Sequence, residues 1–223
     1  MNKTQIKACI QDIKNKIETV KTQYNLNQDI IIVAATKTKS PEIINILPEL
    51  GINVIGENRV QELIEKYPLL DKTLEKHFIG QLQTNKVKYI IDKVSLIHSL
   101  DRESLAKEIQ KYALRQSRNF DVLIEVNMGE ENKGGVPIND VLQFFKTILQ
   151  KYPNITVRGL MSVMPKDADD SMYLQISSLY DILKTESDYI KYLSVGMSDD
   201  YLKAIRYGAN MIRLGRAILG ARP

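Results

Sequence analysis

Short runs of β-branched residues alternate along the sequence with longer segments whose apolar residues recur every three or four positions. Val141, Phe145 and Ile148 belong to one such amphipathic stripe, and Met172 and Ile176 belong to another. The runs with strand character are 30–35, 53–55, 77–79, 95–98, 122–126, 156–160, 191–194 and 211–214. Eight strand–helix units in 223 residues predict the α/β class and a single (β/α)8 TIM-type barrel.

A doubly wound open sheet also alternates strands with helices, and it is the alternative fold. In its dinucleotide-binding form, a glycine-rich turn follows the first strand directly. Here the corresponding segment, 36–41, reads TKTKSP and contains no glycine. The sequence therefore favours the barrel over the open sheet.

The first 25 residues predict an extra helix in front of the barrel. Ile6, Ile10, Ile13 and Ile17 recur at helical spacing. Charged residues stand in this segment where a secretory signal has an unbroken apolar core, so we expect it to belong to the mature fold. Because no Pro/Gly/Ser-rich linker divides the chain, we expect one domain over 1–223, with helix 1–25 packed on the barrel.

Composition excludes several classes of protein. The longest wholly apolar run, 30–35, is far shorter than the ~20 residues of a membrane-spanning helix. Lys and Arg total 31 against 27 Asp and Glu, and this excess of +4 is scattered rather than clustered, which disfavours nucleic acid as a partner. Cys9 is the single cysteine, so we expect a reducing, cytoplasmic location. One cysteine and two histidines cannot form the usual structural zinc site, and no metal is predicted.

In a TIM barrel the functional residues follow the carboxyl ends of the strands. Lys37 comes directly after the apolar run and Thr36, so we expect its ammonium group at the mouth of the barrel core. Burial there lowers the pKa of an amine, as Schiff-base chemistry requires. A lysine that extends from a strand end into solvent fits the same spacing. Lys39 fits that solvent position better, since it precedes Pro41, the expected first residue of the next helix.

Two loops near the end of the sequence resemble phosphate-binding segments. Segment 196–200 reads GMSDD, in which Ser198 is a candidate N-cap of a helix whose backbone N–H groups would bind phosphate. The same residues are also typical of an ordinary capped helix. Gly215, after the eighth strand, allows the backbone to approach an anion closely. Because the two loops follow neighbouring strands, they predict a phosphorylated ligand.

Other polar residues at the predicted mouth have two interpretations each. Arg213 points either into the barrel, where its guanidinium would keep a heteroaromatic nitrogen unprotonated, or outward to a helix carboxylate. Asn58 either contacts the ligand or caps the helix that follows it. His77 and His98 are too far apart in sequence to predict a metal pair, and we interpret them as structural.

Several short motifs follow one another from the first predicted strand to the C-terminus. They are VAATKT (33–38), GENRVQE (56–62), HFIGQLQTNK (77–86), IHSLDR (97–102), RGLM (158–161), GMSDD (196–200) and RLGRAILGAR (213–222). In this order they resemble the pyridoxal phosphate homeostasis family, which is related to the barrel domain of alanine racemases. The resemblance covers nearly the whole chain.

The resemblance implies a (β/α)8-type barrel that holds pyridoxal 5′-phosphate (PLP) as a Schiff base on Lys37. By position within the motifs, Asn58 contacts the cofactor and Arg213 faces its pyridine nitrogen. An arginine in that place leaves the nitrogen unprotonated and makes the ring a weaker electron sink.

The resemblance also implies that Ser198 and the backbone around Gly215 and Arg216 hold the phosphate of the cofactor. The family often has a threonine where Arg216 stands, so a hydroxyl contact is not expected from this residue. A Lys-x-Gly stretch of the family appears here within 132–135, which places Lys133 as a second amine near the rim.

The family resemblance implies a PLP carrier and regulator that has no catalytic residues of its own. Its expected partners are PLP, amino acids and, transiently, apo-enzymes that require PLP, and we expect a monomer. One alternative is an amino acid racemase that uses Lys37 with Tyr201 or Tyr207, although the second, β-rich domain of racemases does not follow Gly220 here. The other is an aldolase that forms a Schiff base between Lys37 and a phosphosugar.

Overall fold

The computed structural model describes residues 1–131 and 133–220. Its strands are β1 (Ile31–Ala35), β2 (Val54–Glu57), β3 (Glu75–Phe78), β4 (Leu96–Leu100), β5 (Phe120–Asn127), β6 (Val136–Pro137), β7 (Ile155–Ser162), β8 (Tyr192–Val195) and β9 (Met211–Leu214). Eight of them pair in parallel in the order β4-β3-β2-β1-β9-β8-β7-β5, and a pairing between β4 and β5 closes the sheet into a barrel. The two residues of β6 pair with the last residues of β5.

Closure of the sheet confirms the predicted TIM-type barrel, and the open-sheet alternative is wrong. Each predicted strand coincides with one barrel strand, and the ends differ by at most two residues. The sequence did not predict β6, because two residues are too few to show a periodicity.

Helices surround the barrel and connect its strands. They are α1 (Lys3–Tyr24), α2 (Pro41–Ile44), α3 (Val60–Lys66), α4 (Val87–Ile90), α5 (Glu103–Gln116), α6 (Val141–Lys151), α7 (Asp170–Glu186), α8 (Tyr201–Arg206) and α9 (Arg216–Leu219). Helix α2 begins at Pro41, as the sequence predicts.

The N-terminal helix α1 forms because both of its ends are satisfied locally. Asn2 and Gln5 make a reciprocal capping box at the start, and Asn25 ends the helix in the left-handed conformation. The isoleucine stripe of α1 is buried in a core cluster that also contains residues of α8, α9 and β1. The predicted extra helix is therefore confirmed.

Apolar residues fill the barrel interior in its lower part, and polar residues replace them toward the mouth. One core cluster contains strand residues from β1, β4, β5, β7 and β9, namely Val33, Leu96, Leu123, Met161 and Met211. Because side chains alternate along a strand, His98, two residues after Leu96, and Arg213, two residues after Met211, also point inward. The fold therefore buries charged and polar groups inside the barrel.

Candidate functional site

A cavity of about 520 Å³ opens at the carboxyl ends of β1, β8 and β9. Five of the six predicted site residues line it, namely Lys37, Ser198, Arg213, Gly215 and Arg216. The parallel pairing of β1 with β9 and of β9 with β8 brings these residues together from distant parts of the sequence. The volume of this cavity lies within the usual range for small-molecule sites.

The turn after β1 presents two lysines to this cavity. Thr38 adopts a left-handed conformation with φ of 65°, and the N–H of Lys39 donates to the carbonyl of Thr36 at 3.0 Å. Lys37 and Lys39 both line the cavity. The sequence interpretation distinguished the two lysines, whereas the structure places both at the same cavity.

A buried ion-pair network lies beneath this turn. The Nζ atom of Lys66, a residue 8% exposed, donates to the Thr36 carbonyl at 2.9 Å, to Glu57 at 2.9 Å and to Glu62 at 2.6 Å. Glu57 also accepts from the Thr36 hydroxyl, and Glu62 accepts from the N–H of Thr38. Burial raises the pKa of Glu57, while its bonds from Lys66 and Thr36 oppose that shift. The network fixes the backbone on both sides of Lys37.

Arg213 is buried and points into the barrel, which settles its two interpretations. Its Nη1 atom donates to the carbonyl of Ser194 at 2.6 Å and to the Ser194 hydroxyl at 2.9 Å, and its Nη2 atom donates to the carbonyl of Ser162 at 2.8 Å. Burial lowers the pKa of Arg213 to about 10, so the guanidinium remains charged at neutral pH. The cavity therefore meets a fixed cation at its base.

The two histidines lie side by side inside the barrel behind Arg213. The Nε2 atom of His98 is 3.0 Å from the Nδ1 atom of His77, and the Nδ1 atom of His98 is 3.3 Å from the Ser194 hydroxyl. His77 in turn contacts Glu75 through Nε2 at 3.0 Å. Burial, with His77 and Arg213 adding to it, holds the pKa of His98 well below its usual value, so this imidazole is neutral.

The loops after β8 and β9 are tied to each other across the edge of the cavity. The hydroxyl of Ser198 accepts from the N–H of Ala217 at 3.2 Å, and Arg216 pairs with Asp199 at 2.5 Å. Ser198 is not an N-cap as predicted, because α8 begins at Tyr201 and the intervening residues form a turn. A methyl group at Gly215 would lie 3.4 Å from the Ala35 carbonyl, in ordinary contact with the cavity wall.

Asn58 lies apart from the other predicted site residues. It lines a second cavity of about 610 Å³ together with Gln81, Gln83 and Lys86. Its Oδ1 atom is buried and has no hydrogen-bond partner among the described residues. Since α3 begins at Val60 without a side-chain cap, Asn58 does not serve as the helix cap. A buried acceptor without a partner is unusual in a folded protein.

A carboxylate that the sequence did not single out stands near Arg213. Glu125 follows the inward-facing Leu123 on β5, and its Oε2 atom is buried without a partner among the described residues. Burial, with the Asp101 charge adding to it, raises the pKa of Glu125 to about 7. Glu125 and Lys133 line one cavity of about 210 Å³, and Lys133 forms an ion pair with Glu130. Lys133 therefore lies at the rim, in a different cavity from Lys37.

The two tyrosines proposed as racemase bases lie elsewhere. Tyr201 is buried in the core cluster that contains the stripe of α1, and Tyr207 stacks on Tyr173 with ring centroids 5.8 Å apart. Neither tyrosine lines the cavity of Lys37. Within this one chain, neither tyrosine therefore stands beside Lys37.

Within 1–131 and 133–220, no group of three or more His, Cys, Asp or Glu residues could hold a metal ion. Across the same residues, no helix is both long and apolar enough to cross a bilayer. The end of the last sequence motif, 221–222, and position 132 of the Lys-x-Gly stretch lie outside the described residues.

Chemically, the cavity combines two amines, two guanidinium groups, two hydroxyls, a carboxylate and a glycine-containing loop. The cations attract an anion, and hydroxyl and backbone donors suit phosphate oxygens. A lysine amine can join a carbonyl carbon as a Schiff base. The residues therefore fit a ligand that carries both a phosphate and an aldehyde.

Comparison with known proteins defines the class first. The family model for the alanine racemase N-terminal domain matches residues 9–223, so the barrel belongs to that family. Within it, the pyridoxal phosphate homeostasis protein of Aquifex aeolicus (strain VF5) is 46% identical over 198 residues, which are 86% of each chain. The chain is thus a member of the pyridoxal phosphate homeostasis protein family, and the resemblance seen in the sequence is confirmed.

Solved structures agree with this assignment. PipY of Synechococcus elongatus PCC7942 with PLP bound superposes with a TM-score of 0.79 at 26% identity, covering 92% of this chain and 99% of PipY. A protein of unknown function from Bifidobacterium adolescentis superposes with a TM-score of 0.91 at 26% identity, covering 98% and 97% of the two chains.

Proposed function

We propose that this protein binds PLP in the cavity after β1, β8 and β9, holds it as a Schiff base on Lys37, and serves PLP homeostasis in the cell. The observation that carries the proposal is the shared location of five residues that the sequence motifs assign to the cofactor. Support comes from the family to which the chain belongs and from PipY, which has PLP bound in its structure. When bound, PLP would supply a reactive aldehyde at Lys37.

Each wall of the cavity has a task in this proposal. Ser198 and the backbone of Gly215 and Arg216 bind the phosphate, and the positive charge of Arg216 adds to the attraction. Arg213 donates toward the pyridine nitrogen from the base of the cavity. Asn58 contributes its unpartnered Oδ1 atom from the neighbouring cavity.

We propose a carrier and regulator rather than an enzyme. A guanidinium donor keeps the pyridine nitrogen unprotonated and weakens the ring as an electron sink, which disfavours carbanion chemistry. The placement of Tyr201 and Tyr207 outside the cavity supports the same proposal. In this role the protein, a single barrel domain over 1–223, acts in the cytoplasm as a monomer, responds to amino acids and contacts apo-enzymes transiently.

The test is the visible absorption of the purified protein titrated with PLP, before and after borohydride. Lys37→Ala is compared with Lys39→Ala, a matched control because both lysines line the same cavity. We expect a visible band that borohydride removes in the wild type and in Lys39→Ala, and no such band in Lys37→Ala. A wild type that stays colourless with PLP, or a Lys37→Ala variant that keeps the band, would overturn the proposal.

Carrier and racemase are separated by proton exchange. The PLP-loaded protein is incubated with amino acids in deuterium oxide, and deuterium at Cα is measured. A carrier leaves the Cα proton in place over many hours, whereas a racemase exchanges it at enzymatic rates, typically ~1 s⁻¹ or faster.

A further inference from the structure

A continuous chain of hydrogen bonds runs along the inside of the barrel from the cavity to the opposite end. Arg213 contacts the Ser194 hydroxyl at 2.9 Å, which lies 3.3 Å from His98. His98 contacts His77 at 3.0 Å, and His77 contacts Glu75 at 3.0 Å. The first four residues are at most 5% exposed, whereas the Glu75 side chain is 52% exposed. The chain thus joins the buried cation of the cavity to a carboxylate that water reaches.

With neutral imidazoles, the carboxylate at one end of this chain sets the direction of every bond in it. A guanidinium can donate but cannot accept, and an ionised carboxylate can accept but cannot donate. Ser194 must therefore accept from Arg213 and donate onward to the Nδ1 atom of His98. His98 then donates through Nε2 to the Nδ1 atom of His77, which donates through Nε2 to Glu75. In this arrangement each imidazole carries a single proton, on Nε2.

Glu75 satisfies the condition that this direction requires. It accepts from His77 and from the Ser95 hydroxyl at 2.8 Å, and the His77 bond lowers its pKa to about 2. A small cavity of about 90 Å³ surrounds it, to which Asp121 from β5 and Tyr192 from β8 also contribute. Asp121 forms an ion pair with Arg158 at 3.2 Å and takes no part in the hydrogen-bond chain.

We propose that Glu75, His77, His98 and Ser194 are positioning residues that orient Arg213 toward the ligand by a directional hydrogen-bond relay through the barrel. Three of the five N–H donors of Arg213 are used by Ser194 and Ser162, which fixes the plane of the guanidinium. Two N–H donors remain beyond these three bonds, and Arg213 lines the cavity. The link to the pyridine nitrogen of PLP rests on the proposed function.

If the carboxylate at the far end is neutralised, the constraint on direction disappears. His77 can then carry its proton on Nδ1, which forces His98 to donate from Nδ1 toward Ser194. The Ser194 hydroxyl would accept from both Arg213 and His98, and its own hydrogen would lose its acceptor. The relay therefore makes the state of the Ser194 hydroxyl, which helps to orient Arg213, depend on a residue at the opposite end of the barrel.

The first test reads the imidazole tautomers directly by long-range ¹H–¹⁵N NMR of the protein without added PLP. The protein has two histidines, so the spectrum contains the signals of two imidazole rings. A His77→Gln variant shows which signals belong to which ring. We expect both rings as Nε2–H tautomers in the wild type at pH 7, and a change of tautomer in Glu75→Gln. The matched control is Asp121→Asn, which removes a carboxylate from the same small cavity and should leave both rings unchanged.

The second test is the affinity for PLP measured by titration of the same variants. We expect the Kd of Glu75→Gln to rise about 3- to 10-fold, a typical size for coupling between distant sites, and that of Asp121→Asn to stay within about twofold. Glu75 is half-exposed, so its replacement leaves the core intact.

Three results would overturn the relay. The first is a wild type in which either ring carries its proton on Nδ1, and the second is a Glu75→Gln spectrum identical to that of the wild type. The third is an equal loss of PLP affinity in Glu75→Gln and Asp121→Asn. A wild type that binds no PLP would contradict the proposed function instead, and the imidazole spectra would still decide the relay.

Discussion

Two of the cations that the motifs assign to the cofactor, Lys37 and Arg213, are held in place by two different kinds of buried network. Beneath the turn of Lys37, Lys66 forms an ion pair with Glu57 at 2.9 Å. Inside the barrel, Arg213 donates instead to neutral oxygens of Ser194 and of Ser162. The first network places a counter-charge beside a buried cation, whereas the second leaves the cation without a hydrogen-bonded carboxylate among the described residues.

This difference separates a structural charge from one that is available to a ligand. A buried ion pair neutralises itself, so it fixes geometry but adds little potential to the cavity. A guanidinium held by serine oxygens keeps its charge in a medium of low dielectric constant, where it acts strongly on a ligand. We therefore expect changes in the first network to reduce stability, and changes in the second to reduce ligand binding as well.

The largest effect is expected from Lys66→Met. It leaves the Glu57 carboxylate buried without its partner, and we expect a loss of about 3–5 kcal/mol in the free energy of unfolding, measured with denaturant. The loss should shrink at acid pH, where Glu57 becomes protonated. Lys107→Met, an exposed lysine on α5, should change stability by less than ~0.5 kcal/mol. A Lys66→Met loss below ~1 kcal/mol would contradict the structural role of this pair.

Ser194→Ala is the corresponding change in the second network. It removes one of the three acceptors of Arg213 and the donor to His98, and we expect a loss of about 1–3 kcal/mol in stability together with weaker PLP binding. The matched control is Ser162→Ala. The hydroxyl of this buried serine donates to the carbonyl of Val126 and takes no part in the hydrogen bonds between Arg213, Ser194 and His98. The control should keep its affinity for PLP. Equal affinities in the two variants would argue against a role of the Ser194 hydroxyl.

Glu125→Gln tests the carboxylate near Arg213 through its dependence on pH. The pKa of Glu125 is about 7 in the folded state and ~4.3 in the unfolded chain, so the folded state holds the extra proton between these values. Its contribution to stability therefore falls as the pH rises through this window. We expect the variant to gain stability over the wild type at pH 8 and to gain less at pH 5. His98, whose pKa is lowered, affects both proteins equally and cancels in the difference.

The smallest effect is expected from Thr38→Gly in the turn of Lys37. A β-branched residue with φ of 65° is strained, and glycine relieves that strain. We expect a gain of about 0.5–1 kcal/mol in thermal or denaturant unfolding. Ser40→Gly, two residues on with φ of −76°, should instead lose a similar amount. A loss in both variants would contradict the strained turn.

Periodicity predicted the barrel, and loop position together with the family motifs selected five residues that the fold brings to one cavity. The alternation of strands with helices is visible in the sequence because it depends on local periodicity alone. It can be recognised without knowing which strands pair or which side chains meet. Asn58 was placed with the others by its motif, but β2 and its loop direct it into a neighbouring cavity.

The buried networks could not be predicted with the same information. Lys66 ends the segment VQELIEK, which has the composition of an exposed helix, and its burial depends on Thr36, thirty positions away. His77 and His98 meet because β3 and β4 are paired with His77 opposite Leu96, so that both rings face inward. The sequence does show that the two histidines lie on neighbouring predicted strands. It does not show the register in which those strands pair, and the contact between the rings depends on that register.

The attachment of PLP to Lys37 is tested most directly by mass spectrometry of the reduced protein. The PLP-loaded protein is treated with borohydride and digested, and the modified lysine is located by fragmentation. We predict the reduced PLP adduct on Lys37, with Lys39 and Lys133 unmodified. An adduct on either of those lysines, or no adduct on any peptide, would contradict the account.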